Sequence, residues 1–524
     1  MLAARTLRPR LHTQGHGPAH RFPGSVRITP LLLALATGGT LARSAAAQDL
    51  AAITPAATRQ IPGKAAPLAL SLVQSNVDDS DPGLFTGILR RDQLLGEMGG
   101  LRTMLGRYGI KLTLTDVGDV LGNTSGGIDR GATYSGLTTL TLQMDTQKAF
   151  GWEGGTLAIS GLQIRGRNLS QYYLSNLQTV SGIEASNTTR LWEIWYQQSF
   201  GDGAFDVRLG QQSLEQEFMT SPGSALYLNT MMGWPMLPSA DLYAGGPAYP
   251  LSSLGVRLRT QPGSCFTFLA GVFQDNPPGG PFDDDSQLRG STRWGGNFNL
   301  RTGALFIAEA QYALNQPRNG DMDRGSRSDG LPGTYKIGFW FDTASFPNQR
   351  TDTLGSPLAS PDSNGIARMN RRNASIYGVA DQMVWRPDPE GPRALSVFAR
   401  IMGAPNDRNL ISFSVNAGVN LRAPLPNRDD DTFGIGFGVT KVSGGAAGFD
   451  KDTNVYGTSA FPVPVRGTET FLEVTYQIQV TPWLQVQPDF QYIFNPSGGI
   501  PNPNNPAKTI GSAAVFGLRA VAVF

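Results

Sequence analysis

The chain has 524 residues, among them 64 Gly and 36 Pro, and only 16% of its side chains are charged. Its 43 basic and 41 acidic residues give a formal charge of +2, so a basic nucleic-acid surface has no support. All three histidines (His12, His16, His20) lie near the N-terminus and Cys265 is the lone cysteine. The rest of the chain therefore has no Ser-His-Asp chemistry, no histidine metal site and no intramolecular disulfide.

In chain order, VRITPLLLALATGGTLARSAAA reads as a secretory leader, with a basic start at Arg27, an apolar run over 31–36 and Ala45-x-Ala47 as the cleavage site. Residues 1–47 are thus expected to be removed. Met1 is the only Met before Met98, and residues 1–25 are Arg/Pro/His-rich without periodicity, so translation is expected to start at Val26 from a non-ATG codon. The leader carries six Arg and no acid; without it 37 basic residues face 41 acidic ones, a net charge of −4. Residues 48–90 are Ala/Pro-rich and aperiodic, as expected for a flexible periplasmic extension. RDQLLGEMGGLRTMLGRY, residues 91–108, places Leu94, Leu95, Met98, Leu101, Met104 and Leu105 near helical spacing, interrupted by Gly99-Gly100. This predicts a short helix or a helix pair.

After Gly109 the period becomes two. In FLEVTYQIQV, Leu472, Val474, Tyr476, Ile478 and Val480 alternate with Glu473, Thr475, Gln477 and Gln479. LTTLTLQMD, LWEIWYQQ and WLQVQPDFQYIF behave likewise, and in TFGIGFGV apolar residues alternate with bare glycines. Cys265, at a strand start, reads as a small apolar filler. A soluble sandwich also alternates, but its outer face is charge-rich, whereas here Gln, Thr, Gly and Asn dominate the polar face. The segments have the length of a tilted strand crossing a bilayer, and aromatics (Trp192, Tyr312, Tyr335, Trp385, Phe494) sit at their ends like interfacial girdles.

Such segments fall at 110–119, 136–147, 155–165, 189–199, 204–213, 253–261, 265–274, 295–301, 304–314, 333–343, 374–386, 394–403, 410–422, 432–442, 467–480, 483–495 and 510–524. Bacterial barrels use an even number, and the short 295–301 segment is the weakest, which predicts an all-β transmembrane antiparallel barrel of sixteen strands. Connections alternate between long (166–188, 214–252, 275–294, 344–373, 443–466) and short, as a porin topology requires. The last strand, FGLRAVAVF, ends on Phe524, the kind of terminal aromatic that outer-membrane assembly machinery reads.

From about Gln93 onward the chain resembles the carbohydrate-selective porin family, the OprB type. The matching stretches are LLGEMGGLRTMLGRYGI, LTLTDVGDVLGNTSGG, LQTVSGIEA, LWEIWYQQSF, RLGQQSLEQEF, GWPMLPSADL and QPDFQYIFNPSGGIPNPN. Met98 departs from the Trp more often found there. The resemblance implies a sixteen-stranded barrel in the outer membrane of a Gram-negative bacterium, passing monosaccharides by diffusion through a lumen narrowed by inward-folded loops.

A sugar pore needs hydrogen-bonding side chains and flat aromatic surface, each weak enough to release the solute. Alternation points Glu193 and Trp195 inward if Trp192 and Ile194 meet lipid, and likewise Asp206 with Arg208, Arg257 with Arg259, Glu309 with Gln311, and Arg400. Arg165 and Arg167 end a strand before one long connection, and Glu215 and Glu217 begin another, where a constriction is expected. The plainer reading is generic porin lining, and mixed signs argue against a strongly ion-selective ring. Passive sugar uptake is the leading expectation, and a general small-solute porin the alternative. No enzyme, cofactor or metal is expected. The expected partners are sugars, outer-membrane lipid and the assembly machinery, with monomer and homotrimer both open.

Overall fold

The structure, a computed structural model, describes residues 87–282, 293–296, 300–315, 330–457 and 461–524. The expected leader and nearly all of the expected extension lie outside them. Eighteen strands follow one another among the described residues: β1 (Ile110–Gly127), β2 (Gly131–Asp145), β3 (Gly155–Gly166), β4 (Thr188–Phe200), β5 (Phe205–Gln212), β6 (Ser253–Thr260), β7 (Phe266–Gln274), β8 (Ala304–Leu314), β9 (Gly333–Asp352), β10 (Ala367–Trp385), β11 (Ala394–Gly403), β12 (Ile411–Arg422), β13 (Thr432–Val442), β14 (Thr468–Thr481), β15 (Leu484–Phe494), β16 (Pro501–Asn502), β17 (Asn505–Thr509) and β18 (Gly511–Val523). β16 and β17 form a separate hairpin, and the other sixteen make one closed antiparallel barrel in which β18 pairs with both β15 and β1. Closure satisfies every ladder and leaves no edge, which is what a strand-built structure needs in lipid.

Sixteen is the number that remains once 295–301 is set aside; part of that segment lies outside the described residues, and its described part joins no strand. The even count brings both ends of the barrel to one rim, where the connections 201–204, 261–265 and 482–483 are short. Among the described residues no helix is long and apolar enough to cross a membrane. β1, β9 and β10 run well beyond their predicted ends, to Gly127, to Asp352 and from Ala367. The added residues pair above the bilayer, where water wets both faces and no lipid-facing alternation marks them.

Of the expected short helix or helix pair, one helix forms, α1 (Leu101–Arg107), because Gly99 and Gly100 take φ 64° and 84° and stop any helix before it. This N-terminal segment clasps the barrel seam. Leu94 N–H donates to Val523 O at 2.8 Å, Trp483 Nε1 to Ile88 O at 2.6 Å, and Arg102 to the backbone oxygen of Phe524. Phe524 N–H in turn donates to Leu114 O at 2.9 Å.

The outward face carries the belt expected of a membrane barrel: Ile337 and Ile376 are 70% and 71% exposed, with Phe339, Ile401, Phe437, Phe516 and Leu518 also exposed. Tyr312, Tyr335, Trp385 and Phe494 are exposed at strand ends, but Trp192 is only 5% exposed. Ser160 pairs with Glu193 and Gly161 with Leu191, so Trp192 is the extra residue of a β-bulge. The bulge turns its indole inward, where Nε1 donates to Leu251 O at 3.2 Å. Cys265 is also placed differently: it is a free, exposed thiol in the turn before β7 and fills nothing.

Candidate functional site

Two connections from the long-loop rim fold into the lumen. Leu169, Leu174 and Val180 of the 167–187 connection join Leu214, Phe218, Met219, Leu226, Tyr227, Leu228, Met231, Met232 and Trp234 of the 213–252 connection in one buried cluster. Their apolar side chains explain how a lumen expected to hold water acquires a core.

Wall side chains clamp this insertion by its backbone. Glu193 accepts Ser213 N–H at 2.9 Å, and Glu309 accepts Met219 N–H at 2.8 Å and the Tyr377 hydroxyl at 2.9 Å. Arg400 donates to four carbonyls, those of Met219, Gly233, Met231 and Met232, at 3.1, 2.8, 2.6 and 2.6 Å. Of the residues expected to line the pore, these three thus hold loop backbone from the wall. Glu469, Glu473 and Asp381 do the same for Leu177, Leu228 and Gly223. Sequence reasoning did not single these out as anchors, because a carboxylate that will meet a loop amide looks like one that will meet water.

Beside them on the wall the glycines of GIGFG supply a groove. A Cβ on Gly434 would lie 2.9 Å from the Tyr227 hydroxyl, on Gly436 2.7 Å from its ring, and on Gly418 2.8 Å from its hydroxyl. The bare wall is the seat of the Tyr227 ring, whose hydroxyl donates to Asn420 Oδ1 at 2.8 Å.

Lower in the lumen, β4, β5 and β6 converge on a polar ladder. Arg208 lies over the Trp195 ring at 4.0 Å, donates to Gln197 Oε1 at 3.0 and 2.9 Å, and pairs with Glu217 at 2.6 Å. Arg257 pairs with both Asp206 and Glu217 and also reaches Gln197 at 3.0 Å; Arg259 pairs with Asp206 at 3.1 Å. Glu217 comes from the inserted connection, so loop and wall meet through this network. Glu215, two residues earlier, accepts Tyr249 N–H at 3.2 Å and lies outside the ladder.

Arg165 and Arg167 are not at the constriction. On β3 the lumen side belongs to Leu162 and Ile164, which pack with Val117, Leu137, Ile183 and Trp192. Arg165 therefore points outward, opposite Gly136, where it pairs with Asp116 at 2.7 Å and donates to Thr138 at 2.8 Å. Arg167 is exposed at the rim with its guanidinium 4.1 Å from the Tyr172 ring centroid. Polar-in alternation fails here because the inserted 167–187 connection needs an apolar wall to pack on.

Burial pushes the Glu215 carboxyl up to about 7, against the pull of the Tyr249 amide bond. Glu184, which accepts the Leu169 and Ser170 amides, is likewise raised by burial to about 7. Glu217 goes the other way: burial works to raise it, but Arg208 and Arg257 together hold it below the ordinary range. Its charge is thus fixed at neutral pH and the ladder stays ion-paired.

A closed sixteen-stranded barrel with an apolar outer belt and a charged lumen narrowed by its own loops is a porin, a channel and not an enzyme. This chain belongs to the carbohydrate-selective porin, OprB family, whose sequence profile matches residues 129–524, and it resides in the bacterial outer membrane. It is 26% identical to Porin B of Pseudomonas aeruginosa over 451 residues, covering 82% of this chain and 91% of that protein. It is 23% identical to the putative porin QuiX of Acinetobacter baylyi over 476 residues, covering 86% and 97%. The high-pH structure of Pseudomonas putida OprB superimposes with a TM-score of 0.70 at 25% identity, covering 83% of this chain and 99% of that one.

Proposed function

We propose that this porin passes monosaccharides by passive diffusion, and that the ladder of Trp195, Arg208, Arg257, Arg259, Asp206 and Glu217 is where they touch the wall. The observation that carries this reading is Arg208 lying 4.0 Å over the Trp195 ring. It stacks a planar guanidinium on the indole face, a flat surface rimmed by N–H donors, which suits a sugar with an apolar ring face and a rim of hydroxyls. The ladder is largely neutralised within itself: three arginines face Asp206 and Glu217, with the neutral amide of Gln197 between them, which leaves one positive charge and no one-signed ring to favour ions. Glu193, Glu309 and Arg400 support the site by fixing the loop that carries Glu217.

The test is single-channel conductance with and without sugar, alongside liposome swelling. Glucose should enter faster than an amino acid of similar size, and Trp195→Ala should weaken block by sugar. Equal entry rates with no block would favour a general small-solute porin. Outer-membrane lipid around the belt, assembly machinery that engages the Phe524 strand, and a homotrimer complete the proposal.

A further inference from the structure

β9 and β10 project past their neighbours. β8 reaches β9 only as far as Leu305 opposite Asp342, and β11 reaches β10 only as far as Gly403 opposite Ile376. Ten residues of β9 and nine of β10 continue beyond those points. The direction of the side chains on this projection follows from its register. Asn370 lies opposite Phe346, which is buried against Tyr243, and Asn373 is buried, so both point inward. Arg371 and Arg372 stand between them. Two inward residues three apart force both arginines outward, and the β-bulge at this point, with Arg372 at φ 67°, accomplishes it. Arg408 fixes the bulge by donating to the carbonyls of Arg371 and Arg372 at 2.8 and 2.6 Å.

Arg368, Arg371 and Arg372 are exposed, and among the described residues none has an acidic partner; the nearby Asp407 and Asp452 are taken by Arg408 and Arg350. Met369, outward beside Pro347, is 51% exposed, and Ile366 is exposed too. The next outward pair down the hairpin is Ala374 with Phe341, and Phe306 packs against Phe341 with ring centroids 6.5 Å apart. Below come Ile376 with Phe339 and then Ile337, the heart of the lipid belt. At about 3.3 Å per residue Arg371 and Arg372 sit roughly 7–10 Å above this aromatic level, the height of lipid headgroups, and Arg368 stands about 20 Å above it, beyond them.

We propose that Arg371 and Arg372 form a docking surface for the phosphorylated headgroup of an outer-leaflet glycolipid. Unpaired guanidinium forks at headgroup height complement phosphate in charge and geometry. The site lies on the outside of the wall and is separate from the lumen ladder.

The test uses the full chain in detergent and native mass spectrometry with bis-phosphorylated lipid A, the same lipid stripped of both phosphates, and inorganic phosphate. Wild type should hold the phosphorylated lipid about tenfold or more tighter than the R371Q/R372Q variant, while the stripped lipid binds both weakly and alike. Inorganic phosphate should not displace the bound lipid, and sugar flux should be the same in both proteins. Equal binding by wild type and variant, or equal binding of the two lipids, would overturn the proposal. So would a change of subunit number in the variant, which would assign the patch to contacts between copies, or displacement by inorganic phosphate alone. Should the double variant fail to assemble, the wild-type affinity must still fall steeply between about 0.05 and 0.5 M salt; a flat response overturns the idea as well.

Discussion

Arg165 donates to both oxygens of Asp116, at 2.7 and 2.8 Å, on the outside of the barrel, with the two side chains 26% and 3% exposed. An ion pair on the face that meets lipid acts on the wall, not on the solute. Replacing Arg165 with Ala would strand Asp116 in a low-dielectric surrounding, at a cost of about 3–5 kcal/mol, whereas the double replacement D116A/R165A should cost much less. Urea unfolding in lipid vesicles measures both. Sugar block and conductance should be unchanged in either variant, and a shift in block would place Arg165 back in the solute path.

Arg208 and Trp195 make the opposite prediction. Arg208→Ala or Trp195→Ala should raise the half-blocking sugar concentration several-fold, equivalent to about 1 kcal/mol. The quantity to follow is current noise and block in single channels as sugar is titrated. Unaltered block in both variants would remove the ladder from the pathway.

The glycine groove gives a prediction about the inserted loop. Gly436→Ala puts a Cβ 2.7 Å from the Tyr227 ring, which cannot give way while its hydroxyl holds Asn420. The 213–252 connection should loosen, conductance should rise, and the barrel should keep its heat-modifiable mobility on a denaturing gel. Arg400→Met, which removes four carbonyl bonds, should open the channel in the same direction.

Protonation should act on the same loops. Glu184 and Glu215 have folded-state values raised to about 7, so the docked loops are favoured with these groups protonated. That stabilisation is complete below the unfolded glutamate value of about 4.3 and is lost as pH rises through about 7. Glu217, lowered, loses its contribution only as pH falls below the ordinary range. Hydrogen exchange across 167–187 and 213–252 should therefore be slower, after correction for intrinsic rates, at pH 5.5 than at pH 8, a window chosen to span the raised values. Equal protection at both would contradict this.

Arg102 holds the backbone oxygen of Phe524 while Leu94 holds Val523. Deleting Phe524 should leave export intact and sharply lower the amount of heat-modifiable barrel in the outer membrane. Arg102→Ala should lower it less, since the Leu94 and Leu114 bonds remain. Both are read from boiled and unboiled membrane fractions.

The period-two segments determined the barrel, its strand count and most strand positions, because lipid on one side and lumen on the other force each crossing strand to declare its faces. Glu473, Thr475 and Gln477 point inward as their alternation requires. The same logic could not see past the bilayer, so the projecting parts of β1, β9 and β10 were legible only as loops. Nor could it see what fills the lumen. Leu162 and Ile164 face inward because a loop folds over them, which sends Arg165 to the outside, and a bulge at Trp192 reverses the phase of one strand. Glu193, Glu309 and Arg400 carry lumen-type sequence signals, yet their hydrogen bonds go to backbone 20, 90 and 167 residues away. Local sequence sets which face of the wall a side chain occupies. Only the tertiary structure decides whether that side chain meets water, sugar or a loop, because the insertion that makes the difference is held by contacts distant along the chain.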